Sequence, residues 1–253
     1  MSFKDITVVI ASFYSSEKIL ECLNSVDQNI KVIVIENSND HNLKKKLISN
    51  YKNIEVILSE QNLGYGCANN LGLSKVKTNY ALIVNPDVIL KYDAITNFFS
   101  TVQKIPNFGI IAPISKNEKY HNFNIHTDHQ IKEVENVKGF AMFLNMKNIE
   151  EVGFFDTNFF IYFEEIDLCK RLRSNNIKIY IDPSIETYHL GGASHDARLK
   201  NEMELSRNWH WMWSTFYFHK KHYGYMTAFL KILPKFFSSI IKFLFYFVTF
   251  NRF

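Results

Sequence analysis

Short apolar runs alternate with amphipathic stretches over the first 115 residues of the chain. The runs have the length of strands and show no polar alternation, which is typical of strands covered on both faces by helices. This rhythm predicts an α/β fold with a mostly parallel, Rossmann-like sheet flanked by helices. The predicted strands are Ile6–Ala11, Val32–Ile35, Ile54–Leu58 and Tyr80–Val84, and the predicted helices are Ser16–Ser25, His41–Ser49, Tyr65–Ser74 and Tyr92–Lys104.

The second half of the chain is patterned less regularly. Residues 115–137 are polar and predict an irregular connection. Beyond it the pattern predicts a strand at Phe140–Leu144, a helix that starts near Met146, a helix at Glu164–Ser174 and a strand at Ile177–Ile181.

The tail from Tyr223 onward changes character and is rich in Phe, Ile and Leu. Its longest uncharged stretch, Phe243–Asn251, is shorter than the roughly 20 apolar residues that a membrane span needs. Basic residues among aromatic ones predict an amphipathic helix in the headgroup region of a membrane. The alternative is a core helix or one that forms an oligomer, a homodimer included. The interruptions are Lys231, Pro234, Lys235 and Lys242.

Composition narrows the class of protein. With 21% charged and 47% hydrophobic residues the chain is not disordered, and a formal charge of +4 is too small to indicate nucleic acid binding. The cysteines Cys22, Cys67 and Cys169 share no CxxC spacing, which argues against a disulfide framework or a zinc site. No secretion signal precedes the first strand, so we expect a cytoplasmic protein.

In a parallel α/β sheet, ligands bind beyond the carboxyl ends of the strands. Strand two ends in Glu36, whose side chain can accept hydrogen bonds from a ribose or a base, although acidic residues also populate ordinary turns. Gly64 and Gly66 follow strand three just before a helix, where free N–H groups favour an anionic ligand. The spacing is neither a GxGxxG fingerprint nor a P-loop, which disfavours a dehydrogenase or a kinase.

The fourth strand leads into Asn85-Pro86-Asp87. Pro86 favours an extended Asn85, so Asn85 and Asp87 project to the same side and converge on one ligand. A divalent cation on a diphosphate needs only one or two protein oxygens. The same tripeptide is also a good turn.

A carboxylate and a histidine complete the candidate chemistry. If a helix starts near Glu164, then Glu165 heads its apolar stripe and faces inward, with Glu164 beside it. An inward carboxylate is costly unless it has a function, and a general base is one; a pair with arginine or a helix cap is the alternative. His189 follows a short strand, where it can complete a metal site with Asp87 or be structural.

In this order the segments resemble the family 2 glycosyltransferases, and among them the bacterial rhamnosyltransferases of cell-surface polysaccharide and O-antigen synthesis. The resemblance covers about residues 7–224. It implies the GT-A fold, with a nucleotide-binding half at about 1–115, an acceptor-binding half at about 116–222 and the helical tail at 223–253. The motifs are Asn62-Leu-Gly-Tyr-Gly with Asn69-Asn-Leu-Gly, Asn85-Pro-Asp, Phe163-Glu-Glu-Ile-Asp-Leu-Cys-Lys-Arg and the late His189.

The resemblance also assigns roles by position. Asp87 and His189 are expected to hold Mn²⁺ or Mg²⁺ on the donor diphosphate, and Glu165 to be the catalytic base of an inverting transfer. The donor and nucleotide are expected to contact Ser12, Glu36, Asn62, Gly64, Asn69, Asn85 and Asp87. The resemblance also places Gly139, Phe140, Ala141 and Met142 near the acceptor. Glu164 and Arg207 are further candidate acceptor contacts, and for Arg207 a solvated basic face is the equal alternative to a contact with the phosphates of the acceptor.

Several departures from the family pattern affect these expectations. Glu36 and Glu165 stand where Asp is more frequent, and Asn85 replaces the first Asp of the DxD motif, as in the rhamnosyltransferase branch. The segment after Glu36 is also one residue shorter than usual, which bears on base recognition.

The expected donor is dTDP-rhamnose, with a UDP-hexose as the alternative. The expected acceptor is a polyprenyl-diphosphate-linked sugar or an oligosaccharide, presented at the cytoplasmic face of a membrane to which the tail attaches peripherally. A catalytically inactive nucleotide-sugar-binding protein or a membrane scaffold is the alternative of another class.

Overall fold

The structure is a computed structural model that describes residues 2–115, 130–189 and 200–249, with the side chains at 200–204 and 246–249 left out. Most of the polar connection predicted at 115–137 lies outside the described residues. The fold within them is a single mixed sheet of nine strands with helices on both faces.

The first half forms the predicted parallel sheet. Its strands run side by side in the order β3-β2-β1-β4, and each neighbouring pair is parallel. The predicted strands and helices of this half are confirmed, with ends that differ by at most two residues. The elements are β1 (Ile6–Ser12), α1 (Lys18–Asn24), β2 (Lys31–Glu36), α2 (His41–Asn50), β3 (Ile54–Leu58), α3 (Gly64–Leu73), β4 (Tyr80–Val84) and α4 (Ala94–Lys104).

The second half makes the sheet mixed. Strand β8 (Ala141–Asn145) runs antiparallel to β4, and the order continues β8-β6-β9-β5, with β7 paired to β9. The sequence pattern missed three strands and ended β9 too early, because two of the missed strands have only two or three residues and Pro113 interrupts the third at a register shift. The missed elements are β5 (Val88–Leu90), β6 (Ile110–Ser115) and β7 (Lys132–Glu133), and β9 is Ile179–His189.

Apolar residues cover both faces of the sheet. In β1, Val8 and Ile10 belong to one core cluster and Val9 to another, and all three are fully buried. A strand buried on both faces needs apolar residues at consecutive positions, which explains its continuous run.

Strand pairing brings the candidate segments together at the end of the sheet where β1, β2 and β4 have their carboxyl ends. Ser12 at the end of β1 lies opposite Glu36 at the end of β2. Val84 at the end of β4 pairs with Ala141, so residues 139–140 lie beside the Asn-Pro-Asp turn. Val88 pairs with His189, which places this histidine next to Asp87.

The remaining helices are α5 (Met146–Val152), α6 (Glu164–Ser174), α7 (Lys200–Tyr223) and α8 (Tyr225–Thr249). Gly224, with φ +87°, separates the last two, which pack together as a hairpin. This break falls next to the tail boundary expected at residue 223; the division into functional halves stays a prediction. In the part of the chain that the structure covers, no helix combines the length and hydropathy needed to cross a bilayer.

Candidate active site

Ser12 and Glu36 stand side by side at the ends of two parallel strands, and both are fully buried. The Glu36 carboxylate accepts hydrogen bonds from the backbone N–H of Ser38 (3.2 Å) and of Asp40 (2.5 Å) and from the Ser38 hydroxyl (2.5 Å). Glu36 therefore closes the loop that follows β2. Its contact with a nucleotide stays a prediction, and such a contact requires these bonds to be exchanged for a ligand.

Asn37 holds the glycine-containing loop in place, a role that the sequence analysis did not assign. Its amide nitrogen donates to Oδ1 of Asn62 (2.8 Å), and its Oδ1 accepts from the N–H of Leu63 and from the hydroxyl of Ser59, both at 2.9 Å. The only signal in the sequence was its place in the polar end of β2. Asn62, which was predicted to lie beside the nucleoside, is solvent-exposed.

Gly64 lets the same loop touch the segment that precedes α6. Its φ is +76°, and a Cβ atom there would lie 2.2 Å from the carbonyl oxygen of Phe160. The N–H of Tyr65 donates to that same carbonyl at 2.8 Å. Asn69 is buried one turn later; its amide donates to the carbonyl of Tyr65 (3.0 Å), and its Oδ1 has no partner among the described residues.

Asp87 and His189 meet at the same edge, as the sequence suggested. Nε2 of His189 lies 3.4 Å from Oδ1 of Asp87, and both side chains are largely buried. Cys22 lies close by, where burial and the charge of Asp87 raise the pKa of its thiol to about 12. This thiol stays protonated and inert, so the oxygen and nitrogen of the pair are the usable ligands.

The pair fits a divalent cation that is shared with a diphosphate. Mg²⁺ and Mn²⁺ accept carboxylate and imidazole ligands, and one or two protein ligands suffice when phosphate oxygens and water complete the shell. No group of three or more His, Cys, Asp or Glu side chains suited to a metal occurs in the described ranges. Asn85 precedes Asp87 at this turn, and its N–H donates to the carbonyl of Phe140 (2.8 Å).

The predicted acceptor segment divides into two parts. The ring of Phe140 stacks on the ring of His189, with centroids 4.9 Å apart. Gly139 precedes it at the same edge. Ala141 and Met142 are fully buried in the core clusters on opposite faces of the sheet. The side chains of Ala141 and Met142 therefore do not reach the candidate site. By packing in the core they hold the neighbouring Gly139 and Phe140 in place.

Tyr65 links this segment to the donor loop and to α6. Its hydroxyl donates a short hydrogen bond to the carbonyl of Gly139, and its ring fills the space beside the glycine, where a Cβ atom would lie 3.3 Å from the hydroxyl oxygen. Burial raises the pKa of Tyr65 well above its usual range, and the charges of Glu164 and Glu165 raise it further. The tyrosine is therefore a neutral neighbour of both carboxyl groups.

The two glutamates that open α6 both enter the interior. Glu164 is 4% exposed, whereas Glu165 is partly exposed; the Oε2 atom of each is buried and has no partner among the residues described. Burial raises the pKa of Glu165 to about 6. Burial, followed by the charge of Glu165, raises the pKa of Glu164 well above its usual value. Desolvation outweighs the stabilising field of the helix N-terminus at both.

A strained turn presents this pair. Tyr162 and Phe163 both have left-handed backbone angles, with φ of 72° and 70°. Such residues cost about 1–3 kcal/mol each and persist only where the surroundings hold them. Helix α7 supplies that support: Ser214 donates to the carbonyl of Ile161 (2.8 Å), and Phe218 packs on Phe163 at 5.2 Å between centroids.

Arg207 lies on the same helix near this turn. Burial raises the pKa of Tyr162. The charge of Arg207 lowers this pKa, and the charge of Glu164 raises it. Arg207 and Glu164 therefore both act on Tyr162, beside the carboxyl pair. The sequence analysis named Arg207 but did not foresee that α7 forms a wall of the site.

These contacts form one continuous path through the site. Asp87 contacts His189, His189 stacks on Phe140, and the neighbouring Gly139 carbonyl accepts from Tyr65. The link from Tyr65 to α6 is electrostatic, since the charges of Glu164 and Glu165 raise the pKa of the tyrosine. The arrangement combines two candidate metal ligands with two poorly solvated carboxyl groups, which suits a reaction between a diphosphate ester and a nucleophile that must lose a proton.

Comparison with known proteins points the same way. The family described as Glycosyl transferase family 2 matches residues 7–169. Rhamnosyltransferase WbbL of Escherichia coli (strain K12) is 28% identical over 218 residues, which make up 72% of this chain and 80% of WbbL. The low-salt glycan biosynthesis hexosyltransferase Agl10 of Haloferax volcanii is 26% identical over 198 residues, 69% of this chain and 64% of Agl10.

Among solved structures, the mannosyltransferase PcManGT from Pyrobaculum calidifontis, in complex with GDP-Man and Mn²⁺, superposes with a TM-score of 0.64 at 11% identity. The superposition covers 83% of this chain and 63% of that enzyme. The chain thus spans a little under two thirds of both Agl10 and PcManGT, and at this identity the likeness to PcManGT is one of fold.

Proposed function

Because this chain belongs to glycosyl transferase family 2, we propose that it is an inverting glycosyltransferase that moves a sugar from a nucleoside-diphosphate donor onto an acceptor hydroxyl. Its fold is the GT-A fold expected from the sequence, with the mixed sheet flanked by helices. The observation that carries the proposal is the path of contacts that leads from Asp87 and His189 to Tyr65, the residue whose pKa the charges of Glu164 and Glu165 raise.

Glu165 is the base in this proposal. Its carboxylate takes the proton of the acceptor hydroxyl while that oxygen bonds to the anomeric carbon, and the bond from this carbon to the diphosphate oxygen breaks on the opposite face. A pKa of about 6 leaves Glu165 ionised at neutral pH and more basic than an ordinary glutamate. Its Oε2 atom, which has no hydrogen-bond partner among the described residues, is the proton acceptor in this proposal.

Glu164 keeps the pair from carrying two charges. Two adjacent poorly solvated carboxyl groups do not both ionise readily, and the pKa of Glu164 is the one raised more strongly. A protonated Glu164 can donate a hydrogen bond to a lone pair of the acceptor hydroxyl oxygen. This bond would hold the hydroxyl group next to Glu165.

The donor diphosphate is held at the other end of the site. Asp87 and His189 are the ligands for Mn²⁺ or Mg²⁺, and such an ion, when bound, offsets the charge that develops on the leaving diphosphate. Asn85 and Phe140 fix the turn that carries Asp87. The family resemblance of the Asn-Pro-Asp turn and the similarity to WbbL support dTDP-rhamnose as the donor, with a UDP-hexose as the second candidate.

The acceptor is a lipid-linked sugar at a membrane surface, or the saccharide part of one. On α8, Met226, Leu230, Phe237, Ile241 and Leu244 recur at helical spacing and are each 52–76% exposed. The lysines of α8 lie away from this face at helical spacing, and residues 223–253 contain no acidic residue. An apolar face on a helix whose charged side chains are all cations fits a bilayer with anionic headgroups, in which the helix lies parallel to the surface.

A donor screen tests the proposal. We expect the thermal midpoint of unfolding to rise with dTDP- or UDP-sugars in the presence of Mn²⁺, and transfer to occur with one of them. Stabilisation without transfer to polyprenyl-diphosphate-linked sugars or oligosaccharides would indicate a binding protein instead of an enzyme. No stabilisation by any nucleoside-diphosphate sugar would indicate a scaffold and end the proposal.

A further inference from the structure

A cluster of charged side chains lies behind the carboxyl pair, on the side of α6 that faces α7. Nζ of Lys221 lies 2.7 Å from Oδ2 of Asp156 and 2.7 Å from Oδ1 of Asp167. Asp156 belongs to the loop before the strained turn, and Asp167 is a fully buried residue in the first turn of α6. One ammonium group thus joins three segments of the chain: the loop, α6 and α7.

Asp167 has two further side-chain partners. Nε of Arg171 donates to its Oδ2 at 2.8 Å, and Nε2 of His222 lies 2.8 Å from its Oδ1. The other guanidinium nitrogens of Arg171 donate to the backbone carbonyls of residues 152–154 at 2.6–3.0 Å. The carboxylate and the guanidinium are therefore nearly saturated with partners, so the geometry of this cluster is tightly defined.

Asp156, at the other end of the cluster, also has several hydrogen-bond partners. Its Oδ2 also accepts from the hydroxyl of Tyr217 at 3.0 Å, and its Oδ1 accepts from the N–H of Asn158 at 2.9 Å. Burial alone would raise the pKa of Asp156, but the hydrogen bonds from Lys221 and Asn158 outweigh it and hold the pKa at about 2. The carboxylate is therefore charged at any pH at which the protein works.

The charged cluster lies where it can fix the segment that presents the two glutamates. It ties down both ends of the segment from Asp156 to Asp167, and this segment contains the left-handed Tyr162 and Phe163 and, directly after them, the two glutamates. A strained turn relaxes when one of its anchors is removed. Lys221 lies outside residues 7–169, which the family match covers, so the family pattern assigns it no role.

We propose that Lys221 is a positioning residue for the transfer step, one that sets the direction of the Glu164 and Glu165 carboxyl groups by bridging Asp156 and Asp167. It touches no substrate and acts through the turn. The proposal rests on the function proposed above, since it takes Glu165 as the base. Misplacement of a base by about 1 Å costs on the order of 100-fold in rate.

The test compares Lys221→Met, Lys221→Arg and the matched control Lys220→Met. Lys220 is the adjacent residue, and its ammonium lies over the exposed ring of Tyr225, at 4.8 Å. We expect Lys221→Met to lower kcat roughly 10- to 100-fold while the KM for the donor and the binding of the nucleotide stay unchanged. We expect Lys221→Arg to restore most of kcat, and Lys220→Met to match the wild type.

Amide hydrogen exchange over residues 156–167 gives a readout that does not depend on activity. Faster exchange in Lys221→Met than in Lys220→Met is the expected result. If exchange quickens but kcat is unchanged, or if kcat falls only as far as the folded fraction does, Lys221 is merely structural and the proposal is overturned.

The same measurement separates the two proposals. If the wild type transfers no sugar, the proposed function fails, while exchange still reports whether Lys221 anchors the turn; unchanged exchange then overturns this inference as well.

Discussion

The phenolic hydroxyl of Tyr65 donates a hydrogen bond to the carbonyl of Gly139. This bond joins the loop expected to hold the donor to the segment expected to hold the acceptor, and the ring packs where any side chain at Gly139 would have to lie. The relationship makes the distance between the two substrate sites depend on a single side chain that also borders Glu164 and Glu165.

Removing that hydroxyl should loosen the acceptor site selectively. For Tyr65→Phe we expect a loss of about 1 kcal/mol of stability, the usual worth of such a hydrogen bond, and a lower kcat/KM for the acceptor with unchanged donor affinity. The matched control is Tyr51→Phe, which removes a hydroxyl bonded to Asn24 on the exposed surface. Equal kinetics of the two variants would contradict a positioning role for Tyr65.

Replacing the base should abolish transfer and keep binding. For Glu165→Gln we expect a loss of roughly 100- to 10,000-fold in kcat, the range typical of a general base, with the donor dissociation constant retained. Glu150→Gln removes an exposed carboxylate on α5 and serves as the control. Transfer by Glu165→Gln at the wild-type rate refutes the assignment.

The raised pKa of Glu165 also predicts how stability depends on pH. Its folded-state pKa of about 6 lies above the ordinary value of 4.5, so its contribution to stability is fully present below pH 4.5 and is lost as the pH rises through 6. The titratable groups facing it are Glu164, Tyr65 and Cys169, and the last two stay protonated because burial raises the pKa of each.

Glu165→Gln cannot ionise and should escape this loss. Relative to the wild type it should gain about 2 kcal/mol between pH 4 and pH 8, which corresponds to roughly 4–8 °C in Tm for a chain of this size. Thermal unfolding of both proteins across this range checks the sign: a difference that stays constant with pH contradicts a raised pKa. In the wild type, kcat/KM should rise with pH through about 6 as the base ionises.

The metal ligands should account for any dependence on a divalent cation. We expect EDTA to abolish transfer by the wild type and Mn²⁺ to restore it. Asp87→Ala or His189→Ala should raise the Mn²⁺ concentration needed for half activity by at least tenfold, because each removes one of two protein ligands. Asp27→Ala, at an exposed turn, is the control. Unchanged Mn²⁺ dependence in both ligand variants places the cation elsewhere.

The exposed face of α8 should decide membrane attachment. In flotation assays we expect the wild type to bind vesicles containing anionic lipid and the double variant Phe237→Glu/Ile241→Glu to bind at least tenfold less, because two charges replace apolar side chains in the headgroup region. Ser239→Glu adds a charge at an exposed position on the opposite side of the helix and is the control. If the double variant instead converts a dimer to a monomer without changing vesicle binding, α8 is an oligomer interface.

The elements in which one residue pattern is repeated several times were predictable from the sequence. The continuous apolar runs of β1 to β4 identified strands buried on both faces, and the apolar spacing of Leu168, Cys169 and Leu172 identified the buried face of α6. Short strands such as Val88–Leu90 carry too few residues for any pattern to emerge, and the end of β9 looked polar because Glu186, Thr187 and His189 there pair with polar groups of neighbouring segments.

The candidate site divides in the same way. Residue type and order along the chain named Asp87, Glu165 and His189, because chemistry restricts which side chains hold a cation or take a proton. Strand register sets His189 opposite Val88 and so brings it beside Asp87, and Glu165 follows a turn with two left-handed residues that no local preference favours. The support of that turn by α7, through Ser214 and Lys221, depends on contacts between residues far apart in sequence, and such contacts leave no periodic signal for the sequence to show.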